Sequence, residues 1–208
     1  SLSNFGQFFT ANSQSGVGIE GSNFYRPLQY VVYAFNYQFF GLNNFVFHST
    51  SVFLHILNGF LIFLVFQKLR FSRWASFFSG LFFIIHPIHT EAVSYISGIA
   101  DPLGFCFLFL GLLFFLTPKK LKLSLSLFFF TLAMLSKEST VIFAPLILLL
   151  TIFNWKNLSE KQKNLYVPFL IGGFVLMGIY LWLKFTVFDF TGNGGLTGQI
   201  NIYTQSLW

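Results

Sequence analysis

Six mostly apolar stretches, each near the length needed to cross a bilayer, follow one another along this chain and leave it few ways to fold. A spanning helix needs about 20 apolar residues, with about 17 as a lower limit. By that measure the candidates are Phe45–Phe66, Trp74–Ile88, Pro102–Leu116, Leu121–Leu135, Thr140–Trp155 and Tyr166–Phe185, several with short cores. Lipid offers the backbone no hydrogen bonds, so each stretch must satisfy its own amides as a helix. A soluble fold is excluded on separate grounds. Only 9% of the residues are charged and 55% are hydrophobic, against about 25% charged in soluble domains. The expected fold is therefore all-α, a polytopic integral membrane helical bundle of about six spans.

A seventh stretch, Tyr25–Phe40, is apolar but patterned. Arg26, Gln29, Tyr33 and Asn36 fall three or four apart along one helical face, and Leu28, Val31, Val32, Phe35 and Phe39 lie away from it. This pattern predicts an amphipathic helix lying in the membrane interface. The chain then divides into 1–44, a partial extracytoplasmic loop carrying that helix; 45–185, the six-span bundle; and 186–208, the start of a second large extracytoplasmic loop. Ser1 does not open a signal peptide, and both ends read as cut, so the chain is expected to be a piece of a longer protein.

The net charge of +6 could suggest nucleic acid, but its placement indicates orientation and no nucleic-acid partner. Lys68, Arg70 and Arg73 separate the first two spans, Lys119, Lys120 and Lys122 the third and fourth, and Lys156, Lys161 and Lys163 the fifth and sixth. Basic loops face the cytoplasm. Glu20, Glu91, Asp101, Glu138 and Asp189 then fall on the opposite side, with only Glu160 among the basic loops, and all four histidines lie in or toward that opposite side. Acid–base capacity is concentrated at one membrane surface.

The densest cluster there is His86-Pro87-Ile88-His89-Thr90-Glu91, followed by Asp101. Two histidines and two carboxylates could bind a metal, move protons or hold a phosphate. They could equally cap and anchor a span that Pro87 terminates. His48, His55 and Asn58 share a face of the first span and suit interhelical hydrogen bonding. Ser136-Lys137-Glu138-Ser139 reads either as a plain turn or as a cation placed for a lipid-linked phosphate, and Arg26 is either an interfacial anchor or a second such cation. The lone Cys106 cannot pair within the chain. Neither a phosphate loop nor a nucleophile elbow is present. Asn157-Leu158-Ser159 fits a glycosylation acceptor but falls in an expected cytoplasmic loop.

Read in order, Tyr25-Arg26-Pro27-Leu28, Gly41-Leu42-Asn43 with Phe47-His48 and His55, His86-Pro87-Ile88-His89-Thr90-Glu91-Ala92-Val93, Gly98 to Asp101, and Leu135-Ser136-Lys137-Glu138 carry a resemblance. Together they resemble the transmembrane and TPR-containing O-mannosyltransferases and their bacterial relatives, GT-C class polytopic glycosyltransferases. The resemblance implies an inverting transfer of a mannose-like sugar from a polyprenyl-phosphate carrier to a protein or glycan hydroxyl. It places that reaction on the luminal or extracytoplasmic side of an endoplasmic reticulum or bacterial plasma membrane. Membrane lipid, the lipid-phosphate-linked sugar and the acceptor are the implied partners. Glu91, Asp101 and His89 become the candidate catalytic residues, and Arg26, His86, Lys137 and Glu138 the candidate substrate-binding residues. No metal ligand set is assigned, and use of a divalent metal stays open.

The family's main catalytic carboxylate is expected in a loop preceding Ser1, and TPR repeats would follow Trp208. Ile99 stands where the family has an arginine, and Ser51 where it has an asparagine between the two histidines. A transporter or flippase of lipid-linked sugar is the alternative. It requires polar or charged groups deep within several spans. A non-catalytic scaffold would leave the one-sided acids and histidines unexplained.

Overall fold

A computed structural model describes residues 26–184. Tyr25, Glu20, Phe185, Asp189 and the loop 186–208 lie outside the described residues. Among those described, all regular structure is helical: α1 Pro27–Phe40, α2 Asn44–Lys68, α3 Arg73–Ile85, α4 Thr90–Ser94, α5 Ala100–Phe115, α6 Lys120–Ser136, α7 Phe143–Asn154 and α8 Glu160–Trp182. Short 3-10 turns extend α5 and α7, so the continuous helical segments are Ile96–Phe115 and Glu138–Asn157. The fold is an all-α polytopic bundle.

Among the described residues, four helical segments are long and apolar enough to cross a membrane: Asn44–Lys68, Ile96–Phe115, Glu138–Asn157 and Glu160–Trp182. The other two expected spans are shorter. α6 has 17 residues, at the lower limit for a span. α3 has 13 residues, about 20 Å at 1.5 Å per residue. The sequence predicts a span running to Ile88, but the helix stops at Ile85, because the residue before a proline is driven out of the α region. His86 accordingly has φ −70° and ψ 126°. In the last span the difference has the opposite sign. α8 begins at Glu160, six residues before the apolar run, because Ser159 and Gln162 form a reciprocal capping box. Ser-x-x-Gln was the sequence signal for that start.

Two apolar clusters hold the bundle together. Phe115, Phe130, Phe143, Ile147 and Phe169 interlock α5 to α8, and Leu54, Leu61, Ile99, Leu103 and Cys106 join α2 to α5. Ile99 is 1% exposed within the second cluster. The outward surface is also apolar: Phe53, Phe60, Phe78, Phe82, Ile171 and Val175 are all exposed, as lipid-facing side chains should be.

The short α3 compensates for its length by packing closely on α2. A Cβ on Gly80 would lie 2.5 Å from the carbonyl oxygen of Gly59, so the two backbones touch where a side chain would separate them. α2 ends in a Schellman closure, with Phe71 N–H on the Phe66 carbonyl at 3.1 Å and Arg70 N–H on that of Gln67 at 3.1 Å. The left-handed position of such a cap usually holds glycine. Here it is Arg70, with φ 65°, at a cost of about 1–2 kcal/mol.

Candidate active site

The site end of the bundle is assembled from four pieces of chain that are distant in sequence. α1 presents its polar face to the protein: Gln29, Ala34 and Asn36 are buried while Phe35 and Phe39 are exposed. Gln29 Nε2 donates to the Tyr33 hydroxyl at 2.7 Å and to the Ser97 carbonyl at 3.0 Å, and the Tyr33 hydroxyl donates to the Ile96 carbonyl at 2.7 Å. Asn36 Nδ2 donates to the Thr50 hydroxyl at 3.0 Å. These bonds fasten α1 across the 96–99 turn and the start of α2. Burial pushes the Tyr33 phenol above its ordinary value, partly offset by the hydrogen bond from Gln29, so it stays protonated and keeps its donor role.

Ion pairs complete the scaffold. Lys137, at the C-terminal end of α6, places Nζ 2.8 Å from the carboxylate of Asp101, in the first turn of α5. Both charges suit their helix termini. Arg26, at the start of α1, donates from Nε and Nη2 to Glu138 Oε2 at 3.2 and 3.1 Å. Lys184 Nζ lies 4.0 Å from the other Glu138 oxygen, which is buried without a hydrogen bond. Gly104 lets the helices approach here, because a Cβ at that position would sit 2.9 Å from Lys137 Cβ and 3.1 Å from Thr140 Cγ2.

Between these pieces opens a cavity of about 940 Å³, at the upper end of the range for ligand sites. Four expected site residues, Arg26, Glu91, Asp101 and Lys137, line it. Glu91 is exposed, and among the described residues its carboxylate makes no ion pair. Glu138 stands behind Arg26 and does not reach the lining.

His86 and His89 are turned elsewhere. His86 Nδ1 accepts from the Ile88 amide at 3.2 Å, and the His89 ring packs 4.3 Å from Phe83 and 5.3 Å from His55. His55 Nε2 lies 3.1 Å from the Ile84 carbonyl. Burial, with smaller contributions from His55 and His86, pushes His89 below the ordinary histidine value. Among the described residues, no group of three His, Cys, Asp or Glu side chains is placed to hold a metal.

The cavity also has walls that residue chemistry alone did not single out: Tyr30, Tyr95 and Ser97. Tyr30 lies one helical turn from Arg26, on the face already marked polar by Gln29 and Tyr33, and that spacing was the available signal.

Along this framework the chain matches proteins of known kind. It is 35% identical over 156 residues to human protein O-mannosyl-transferase TMTC1, covering 67% of this chain. It is 34% identical over 173 residues to mouse TMTC1, covering 74% of this chain. This chain is similar to the TMTC protein O-mannosyl-transferases. Human TMTC2 adds a shorter match, 40% identical over 91 residues, covering 43% of this chain and 11% of TMTC2. The resemblance read from the motifs therefore holds across most of the sequence, in an integral membrane protein. The chain spans about 18% of the length of the TMTC1 proteins it matches. No family model matches it, and no solved structure matches it.

Proposed function

We propose that this chain forms part of the core of an inverting GT-C-type glycosyltransferase. The enzyme moves a mannose-like sugar from a polyprenyl-phosphate carrier to a hydroxyl on a protein or glycan. The observation that carries this reading is the cavity, which gathers two cations and two carboxylates at the bundle end away from the basic loops. The TMTC similarity supplies the sugar and the reaction class. On this reading the cavity faces the lumen of the endoplasmic reticulum or the exterior of a bacterial plasma membrane.

The chemistry divides among the lining residues. The acceptor oxygen forms a bond to the anomeric carbon as the bond from that carbon to the carrier phosphate breaks, with inversion. The acceptor proton passes to a carboxylate, and the phosphate departs with the bonding electrons. Arg26 and Lys137 offset the charge that develops on the phosphate, at a site where water is partly excluded. Asp101 fixes the Lys137 ammonium. Among the described residues lining the cavity, Glu91 is the carboxylate outside an ion pair, open for proton acceptance or acceptor binding. Tyr30, Tyr33 and Tyr95 offer ring faces to a sugar. His86 and His89 act as positioning residues for the 86–94 segment that carries Glu91. Glu138 holds Arg26 in place.

A flippase reading needs uncommitted polar groups within the spans. Asn58 Nδ2 donates to the Pro102 carbonyl at 2.8 Å and Ser126 to that of Gly111 at 2.7 Å, while Ser51 Oγ and Asn58 Oδ1, both on α2, are buried without a hydrogen bond. These groups are neutral, and the ion pairs of the described residues lie at the bundle ends.

The test is transfer by full-length protein in liposomes with a Ser/Thr-rich acceptor peptide. Polyprenyl-phosphate mannose should label the peptide and a nucleotide-activated mannose should not. Labelling from the nucleotide sugar alone, or movement of the lipid-linked sugar across the bilayer without transfer, would overturn the reading.

A further inference from the structure

The opposite end of the bundle holds two adjoining cavities that the transfer chemistry does not use. The larger, about 800 Å³, is lined by Lys68 and Arg70 together with Asn154, Asn157, Gln162 and Tyr166. The smaller, about 490 Å³, is an apolar groove between α2, α5 and α6, walled by Leu64, Leu110, Leu113 and Phe114. Lys68 borders both. Lys122 and Thr117 stand at the mouth of the groove, on the same side as Lys68. Leu64 lies one helical turn inward of Lys68, and Leu113 one turn inward of Thr117. Cationic heads therefore lie at one level and an apolar slot begins about 6 Å deeper, in the order of a phospholipid's headgroup and chain.

Charge selects the occupant. Neither cavity is lined by a carboxylate. Among the described residues the ion pair at this end is Lys163 with Glu160, which belongs to neither lining. Basic loops as such explain orientation, but orientation does not require an arginine at a left-handed backbone position. Arg70, at φ 65°, lines the polar cavity from a cap where glycine would be unstrained. A charge kept at a strained position suggests that the side chain has a task there.

We propose that these cavities bind one anionic glycerophospholipid of the leaflet facing the basic loops. Its headgroup phosphate rests on Lys68, Arg70 and Lys122, and an acyl chain lies in the groove between α2, α5 and α6. The site would brace α2 against the α5–α6 hairpin on the side remote from the sugar-transfer cavity. It stands independently of the transferase reading.

The experiment uses full-length protein in nanodiscs of phosphatidylcholine with increasing phosphatidylglycerol, and native mass spectrometry counts the lipids retained. Phosphatidylglycerol should be retained in preference to phosphatidylcholine. Lys68→Gln and Lys122→Gln should each weaken that preference by about fivefold, the equivalent of one basic contact. Arg70→Gly should lose a similar factor while melting at or above wild type in pure phosphatidylcholine, because the backbone strain is relieved. Wild-type preference in all three variants would overturn the proposal. Inorganic phosphate should not displace the lipid; displacement would reassign the site to a free anion. Displacement by polyprenyl phosphate as readily as by phosphatidylglycerol would reassign it to the carrier and would also overturn the proposal.

Discussion

The two ends of the bundle hold their charges in different ways. At the cavity end, ion pairs join residues far apart in sequence: Arg26 to Glu138 across 112 positions and Lys137 to Asp101 across 36. Their side chains are 14–34% exposed. At the other end the cations come in short local clusters, and the ion pair among the described residues is Lys163 to Glu160 within one helical turn, with Glu160 83% exposed. Charges of the first kind have fixed places that only the finished fold can provide. Charges of the second kind are placed by the local sequence, without a carboxylate brought in from a distant segment among the described residues. Screening by water weakens them further. A surface that orients a protein can be built from loose charge, whereas one that meets a departing phosphate needs its charges fixed.

That contrast can be broken by substitution. The largest effect is expected at the open carboxylate. Glu91→Gln should lower transfer by about 10²-fold or more if Glu91 takes the acceptor proton, with expression and melting unchanged. A loss below threefold would remove it from the chemistry. Gly104→Ala comes next. Its new methyl group would press on Lys137 and Thr140 and should cost about 10- to 100-fold in transfer by displacing the ammonium; wild-type rates would show that the Lys137 position is not critical.

Stability separates the two ends as well. Glu138→Gln leaves a half-buried guanidinium without its carboxylate and should destabilise by about 1.5–3 kcal/mol. Lys163→Gln should cost no more than about 0.5 kcal/mol. Equal shifts in melting temperature would contradict the distinction. The smallest effect concerns pH. His89 has a folded value below its ordinary 6.5, so the unfolded chain binds the proton more tightly. The stability this gives is complete above about pH 6.5 and is lost as pH falls toward the folded value. Melting temperature should therefore decline on acidification through that window, and His89→Asn should flatten the decline.

How much of this could be read from the sequence varied with the physics involved. Apolar length gave the helices, because lipid enforces one solution for the backbone, and α2, α5, α7 and α8 follow. α3 fell short because Pro87 acts on the residue before it, a local steric effect that a hydropathy reading passes over. The face Arg26-Gln29-Tyr33-Asn36 was legible as polar, but its direction was not. It turns toward Ser97 and Thr50, which only tertiary packing could supply. The acids and cations of the site were all visible as residue types. Their pairing was not, since nothing in the chain order links Arg26 to Glu138. His86 and His89 looked equal to Glu91 in a six-residue cluster, yet the break at Pro87 sends the His89 ring toward Phe83 and His55 and leaves the carboxylate on the cavity.

On the proposed function, transfer from a polyprenyl-phosphate sugar has one requirement, the fixed charges of the cavity rather than positive charge in general. It is tested most directly by measuring that transfer in two full-length variants that each remove one lysine. Lys137→Ala should lower the rate by about 10²-fold, as loss of one preorganised donor at a developing anion does. Lys156→Gln, at the exposed end of the basic surface and outside every cavity described, should stay within about twofold of wild type. Equal losses in the two variants, or full activity in Lys137→Ala, would contradict this requirement.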